Sequence, residues 1–289
     1  MVLENPRSIL IFVLKIVVLT FVMFVAFTVG GLVTGITSME VADPTGAFVT
    51  SLFIIFLQTV VLSYAIVRSR WTGWKLVLAI IVIYYGVVTF QTNVETVVFL
   101  NYLVDIVPTE MLPILFVQGA ITAGIFAPLA TVILGRMKDS EGGQEPNLKL
   151  VMPGIEWVWK LVVIAVIWVG VYFAFGAFVA VPLAGEVFQE YYAGLQLPAW
   201  MPLFQLVRGV IWVAVAAPVI RMMKGHWWET ALVVGLLFSF LMGFWLLAPN
   251  PFMPEVIRMA HFVEVSSENF IFGFVLVYIL KIRQRIPPT

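Results

Sequence analysis

Three side chains able to exchange a proton or hold a cation recur on one helical face near the C-terminal end of this chain. The stretch reads Arg258-Met-Ala-His261-Phe-Val-Glu264-Val-Ser-Ser-Glu268-Asn269 and runs on as Phe-Ile-Phe-Gly-Phe-Val-Leu-Val-Tyr-Ile-Leu. At 3.6 residues per turn, His261, Glu264 and Glu268 fall within an arc of roughly 60°. An imidazole and two carboxylates therefore lead into a segment apolar enough to cross a bilayer. Ionisable groups are costly at that depth, so this face is expected to turn toward protein or water rather than lipid.

Two chemistries fit the pattern. One is binding or transport of a small solute or ion with proton coupling, in which Glu264 and Glu268 accept protons or a cation and no cofactor is needed. The other is a membrane-embedded, metal-dependent enzyme with His261, Glu264 and Glu268 as ligands. One His among carboxylates suits manganese or iron better than zinc, whose catalytic sites use at least two nitrogen or sulfur donors. A third reading makes the cluster a structural device in an accessory subunit, fixing helix register. The Gly-x-Ser-Gly of rhomboids, the Glu-Glu-x-x-x-Arg of CAAX-type membrane proteases and HExxH are all absent, so the enzyme reading rests on His-x-x-Glu alone.

The elements that must position these groups are membrane helices. Hydrophobic residues make up 62% of the 289 residues and charged residues 11%; mean hydropathy is +1.06. A globular chain is about half apolar and about a quarter charged. Lys and Arg number 16 and so do Asp and Glu, so no basic field exists for nucleic acid. There is no Cys, which excludes disulfides and thiolate metal sites, and the 2 His cannot ligate a pair of haems.

Apolar runs long enough to cross roughly 30 Å of hydrocarbon, about 20 residues each, occur at 9–33, 47–67, 76–97, 113–134, 157–181, 203–220, 231–247 and 256–282. They are continuous rather than alternating, which predicts an all-α bundle of eight transmembrane helices and no barrel. The first run is too long for a signal-peptide core and is read as a retained span. With the N-terminus inside, Arg68, Arg70, Lys75, Arg136, Lys138, Lys160, Arg221, Lys224, Lys281, Arg283 and Arg285 cluster at the cytoplasmic face, and Glu40, Asp43, Asp105, Glu110, Glu186 and Glu190 lie opposite. Both termini are then cytoplasmic, in a multi-pass protein of the plasma (cell inner) membrane.

The chain reads as one membrane domain, 1–289, of two four-helix halves, 1–135 and 157–289, joined by a cytoplasmic linker at 136–156. A local match supports an internal 4+4 repeat. After its second span the first half has Arg68-Ser-Arg-Trp-Thr-Gly73-Trp74, and the second half has Arg221-Met-Met-Lys-Gly225-His-Trp227-Trp228. Gly119, Ala123 and Ala127 form a small-residue ridge on the fourth span, which predicts a central, closely packed helix, kinked at Pro128. The segment 182–202 is expected to lie along the surface as a short interfacial helix or lid.

Counting roughly 1.5 Å per residue from the basic end of each span, the polar residues inside the apolar runs gather in the outer half of the bilayer. They are Gln91, Asn93 and Glu95 on the third span, Gln118 on the fourth, Gln205 and Arg208 on the sixth, and His261, Glu264, Glu268 and Asn269 on the eighth. One outward-open pocket is expected, floored by Phe272, Val275, Leu276 and Ile279. Arg208 and Glu268 share a depth and are expected to pair, since a lone buried guanidinium is costly. The expected partners are the lipid bilayer and a small solute or ion, with oligomerisation open.

Overall fold

The computed structural model describes residues 6–35, 43–103, 110–138 and 148–282. Glu40, Asp105, Arg283, Arg285 and residues 139–147 of the 136–156 linker lie outside them. The described chain is all helical. Its elements are α1 (Pro6–Thr34), α2 (Pro44–Val67), α3 (Gly73–Tyr84), α4 (Thr92–Leu103), α5 (Met111–Ile133), α6 (Gly154–Phe175), α7 (Val181–Tyr191), α8 (Met201–Met222), α9 (Trp227–Met242) and α10 (Glu255–Lys281). A π turn, Tyr85–Gln91, joins α3 to α4 into a single rod, and a second, Gly176–Ala180, joins α6 to α7. Eight helices are long and apolar enough to cross a membrane, so this is a multi-pass membrane protein.

Helix α5 contains Pro128 and continues past it to Ile133. The small-residue ridge does permit close approach: a methyl group added at Gly119 would overlap the side chain of Thr89. Between α9 and α10 the same device is sharper, because a Cβ on Gly273 would stand 2.8 Å from the Cα of Gly235. At α6 and α8, a Cβ on Gly209 would stand 2.7 Å from the Cα of Ala165. In lipid, such backbone approaches replace the hydrophobic drive that assembles helices in water.

Span neighbours form a regular pattern. The first span packs on the second and fourth, and the fifth on the sixth and eighth. The third packs on the fourth and the seventh on the eighth, while the halves meet through the second with the seventh and the third with the sixth. The two motif-bearing turns meet at one end of the bundle. Ser69 and Met223 form an antiparallel bridge, with Arg70 N–H donating to the Met222 carbonyl (2.7 Å) and Lys224 N–H to that of Arg68 (3.2 Å).

That end is also where the basic residues are anchored. Arg68 grips Glu229 through Nε (2.5 Å) and Nη2 (2.7 Å), and the Tyr64 hydroxyl donates to the same carboxylate (2.7 Å). Glu229 holds the Arg68 guanidinium above its ordinary range. Arg136 donates to the Ser69 carbonyl, and burial pushes its guanidinium down. Lys160, fully buried, donates from Nζ to the carbonyls of Leu280 (3.0 Å) and Ile282 (2.5 Å) and pairs with Glu156 (2.7 Å). A cation there satisfies carbonyls that the end of α10 leaves without intrahelical donors.

The segment 182–202, expected along the surface, begins as helix continuous with the fifth span. The fifth span continues through Gly176–Ala180 into α7 and ends at Tyr191, bending at Gly185, whose φ of 56° favours glycine. Hydropathy falls after Val181, but the helix itself does not stop there. The π turn closes just before Pro182, a residue with no N–H whose ring does not fit a regular α-helical interior.

Candidate functional site

Arg208 lies at the centre of the polar cluster and is completely buried. Its Nη1 donates to Glu95 Oε1 at 2.9 Å and to Gln205 Oε1 at 3.1 Å. Its Nη2 donates to the Gln91 carbonyl (3.1 Å) and its Nε to Gln91 Oε1 (3.3 Å), while Gln91 Nε2 returns a bond to the Arg208 carbonyl (3.2 Å). Trp168 Nε1 donates to Gln205 Oε1 at 2.9 Å, and its ring lies 5.5 Å from the guanidinium carbon. The guanidinium is thus held from the third, fifth and sixth spans at once.

The partner of Arg208 is therefore Glu95, not Glu268. Depth along the membrane normal cannot separate the two acids, because it says nothing about azimuth. The π turn decides the matter: it ends at Gln91, and from there Glu95 follows at i+4 on the same face. Glu95 keeps 21% of its side chain exposed, against 0% for Arg208.

Glu268 is only 4% exposed. It lies within electrostatic reach of Glu264, Glu95 and Arg208 without an ion pair to any described residue, and its Oε2 accepts no hydrogen bond. Tyr172, from the fifth span, borders Glu95, Arg208 and Glu268 together. Glu264 takes part in a different contact, with His261 Nδ1 at 2.5 Å from its Oε2. His261 Nε2 lies 2.8 Å from the Tyr192 hydroxyl. Burial pushes that hydroxyl up, so it stays neutral and can donate to Nε2 while Nδ1–H donates to Glu264. The result is a Tyr192–His261–Glu264 chain across α7 and α10. The other oxygen of Glu264 abuts Gly176 in the second π turn, where a Cβ would come within 3.3 Å.

The cluster is partly covered. Phe188 and Tyr192 of the fifth-span extension pack their rings on His261, and the Tyr191 hydroxyl is tied to the Phe252 carbonyl (2.7 Å). At the end expected to be an open mouth, α7 and the residue after it lie over His261, while Glu95 keeps part of its side chain exposed. On the other side Phe272, Leu276 and Ile279 are buried as expected, and Val275 is half-buried. The floor gains rings that the sequence did not reveal: Trp168 lies 4.8 Å from Phe272, and Trp212 lies 4.2 Å from Phe238 and 5.6 Å from Trp168.

Gln118 and Asn93 do not join this cluster. They line a cavity of about 180 Å³ with Thr89, Thr92, Thr122, Tyr84, Phe27 and Trp245. Asn93 lies two residues from both Gln91 and Glu95, so on a helix it faces roughly the opposite way. The single expected pocket is thus a charged cluster and a neutral cavity on two faces of one helix. Asn269 turns its amide to the Val265 carbonyl (2.8 Å) and takes no part in either.

Among the described residues no group of three His, Cys, Asp or Glu side chains is placed to hold a metal ion, and both ring nitrogens of His261 have partners. Tyr192, Tyr172 and Trp168 are the site residues that sequence reasoning missed; the Glu190-Tyr-Tyr run was visible but lay outside any apolar segment. Compared with known proteins, the chain matches no family model, no curated protein and no solved structure.

Proposed function

We propose that this protein binds and carries a small solute or ion across a membrane with proton coupling, with Glu268 as the group that exchanges a proton or cation. The observation that carries the proposal is Glu268 itself: a carboxyl group in an apolar span, almost wholly buried, with one oxygen unsatisfied and two further carboxylates nearby. A purely structural polar network satisfies its members, because an unpaired buried polar atom costs about 1–3 kcal/mol. An acid left unsatisfied in the closed form is one that receives something in another form.

The Arg208–Glu95 pair is the counter-charge, and the neutral cavity of Asn93 and Gln118 on the other face of the same rod is where a solute is held. The neighbour pattern supports two related halves: each span contact in the first half has its counterpart four spans later, and the matched turns meet each other. Such repeats share one orientation and are related by an axis along the membrane normal. The positive-inside rule then puts the basic end in the cytoplasm and the cluster toward the outside of the plasma (cell inner) membrane. The α7 extension is the outer gate and the Trp168–Trp212–Phe238–Phe272 layer the inner barrier.

The test is charge movement in proteoliposomes on a solid-supported membrane after a pH jump. Wild-type protein should give a transient current, Glu268→Gln should abolish it while remaining folded, and Glu268→Asp should retain part of it. Identical transients from wild type and Glu268→Gln would overturn the proposal.

A further inference from the structure

Away from the polar cluster, α3 and α8 enclose a surface groove of about 340 Å³ at the basic end of the bundle. Its mouth carries Lys75, Arg221 and Trp71, and its walls are Leu78, Val82, Ala214, Ala217 and Pro218. Two cations at one end and only apolar groups along the rest match an anionic headgroup followed by the start of an acyl chain.

Both cations are exposed. Among the described residues no carboxylate pairs with Lys75 or Arg221. Lys75 is instead steered by the Trp71 ring, with Nζ 4.4 Å from its centroid. The main chain of Arg221 is fixed from across the bundle axis, where Arg70 Nε donates to its carbonyl (3.1 Å). Basic pockets between membrane helices at the cytoplasmic face suit anionic lipid headgroups, each cation near an anionic surface contributing about 1 kcal/mol.

The wall adds a second feature. Pro218 lies inside α8 and has no N–H, so the Ala214 carbonyl one turn earlier loses its intrahelical donor. Ala214 is exposed and lines this groove.

We infer that the α3–α8 groove is a binding site for an anionic phospholipid, its phosphate held by Lys75 and Arg221 and its chain along Leu78, Val82 and Ala217. The site lies outside the transport pathway and does not depend on the proposed function.

Native mass spectrometry of the full-length protein in detergent, titrated with phosphatidylglycerol, phosphatidylcholine or inorganic phosphate, tests it. Wild type should retain one phosphatidylglycerol in preference to phosphatidylcholine and bind no phosphate. The Lys75→Gln, Arg221→Gln double variant should bind phosphatidylglycerol roughly 30-fold more weakly, which is about 2 kcal/mol at 1.4 kcal/mol per decade. Lys138→Gln, an exposed cation of the same end that does not line the groove, should bind like wild type. Ala217→Phe, which fills the groove and keeps both charges, should also lose the lipid. Equal retention of the two lipids, binding of phosphate alone, or undiminished phosphatidylglycerol in both the double variant and Ala217→Phe would overturn the assignment.

Discussion

Replacing Glu95 and Glu268 in turn against Arg208 discriminates the geometry of the cluster from the pairing that depth alone implies. Arg208 Nη1 lies 2.9 Å from Glu95 Oε1, so the charge centres are about 4 Å apart and interact by about 4 kcal/mol at an effective dielectric near 20. Glu95 retains 21% exposure, and solvent there screens the pair, which brings the expected coupling to about 2–3 kcal/mol. Glu268 makes no ion pair with Arg208, and its coupling should be less than half of that.

The assay is a double-mutant cycle of Arg208→Met with Glu95→Gln and with Glu268→Gln, read as unfolding free energy in mixed micelles titrated with SDS. The single variants should be unequal. Arg208→Met leaves a carboxylate that water can reach, along with the Gln91 and Gln205 acceptors without their donor. Glu95→Gln leaves a fully buried cation, and breaking a buried pair from that side costs about 3–5 kcal/mol. The reasoning fails if Arg208 couples more strongly to Glu268 than to Glu95, or if both couplings are below about 0.5 kcal/mol.

Three further outcomes rest on individual contacts. Gly273→Leu should disrupt the α9–α10 interface, where only 2.8 Å separates an added Cβ from the Gly235 backbone; a loss of more than about 3 kcal/mol, or no folded protein in a size-exclusion profile, is expected. Glu229→Ala removes the acceptor shared by Arg68 and Tyr64 and should cost about 2 kcal/mol in the same SDS titration; Arg68→Ala should couple to it, and additive effects would contradict the contact. Tyr192→Phe breaks the bond to His261 but keeps the ring against Phe188. It should cost only about 1 kcal/mol in stability and raise labelling of a cysteine placed at Glu264 by a water-soluble thiol reagent, in a chain that has no other Cys.

The eight spans were legible in the sequence because each is a continuous apolar run bounded by charge, and a bilayer leaves such a run no alternative to a helix. Grouping was legible too: Gln91, Glu95, Arg208, Glu264 and Glu268 do gather. What failed was azimuth. Between Tyr85 and Gln91 the third span winds as a π helix, which changes its phase against any 3.6-residue projection and brings Gln91 and Glu95 onto Arg208 while turning Asn93 toward Gln118. No residue in Tyr-Gly-Val-Val-Thr-Phe-Gln announces such a turn. The end of the fifth span was not legible for the converse reason. Its polar extension, Glu186 to Tyr191, reads as a surface segment because hydropathy measures contact with lipid, whereas this stretch is ordered by contact with α10.

Both π turns bear on the cluster, one through Gln91 and the other through Gly176 against Glu264. A π turn inserts one residue into an α-helix and can be relaxed by passing that residue along the helix, which rotates the downstream side chains by about 100°. In the third span, such a relaxation would swing Glu95 away from Arg208 and Asn93 toward it, exchanging the charged face of the rod for the face that lines the neutral cavity. In the fifth, it would withdraw Tyr192 from His261 and uncover Glu264. The proposed carrier would need elements with two arrangements close in energy, and two of the four spans that meet this cluster contain a π turn. Gly176→Ala tests the link. Its methyl would crowd Glu264 at 3.3 Å, so the variant should fold normally yet slow the pH-driven charge movement, whereas an unchanged rate would separate the π turn from the gating.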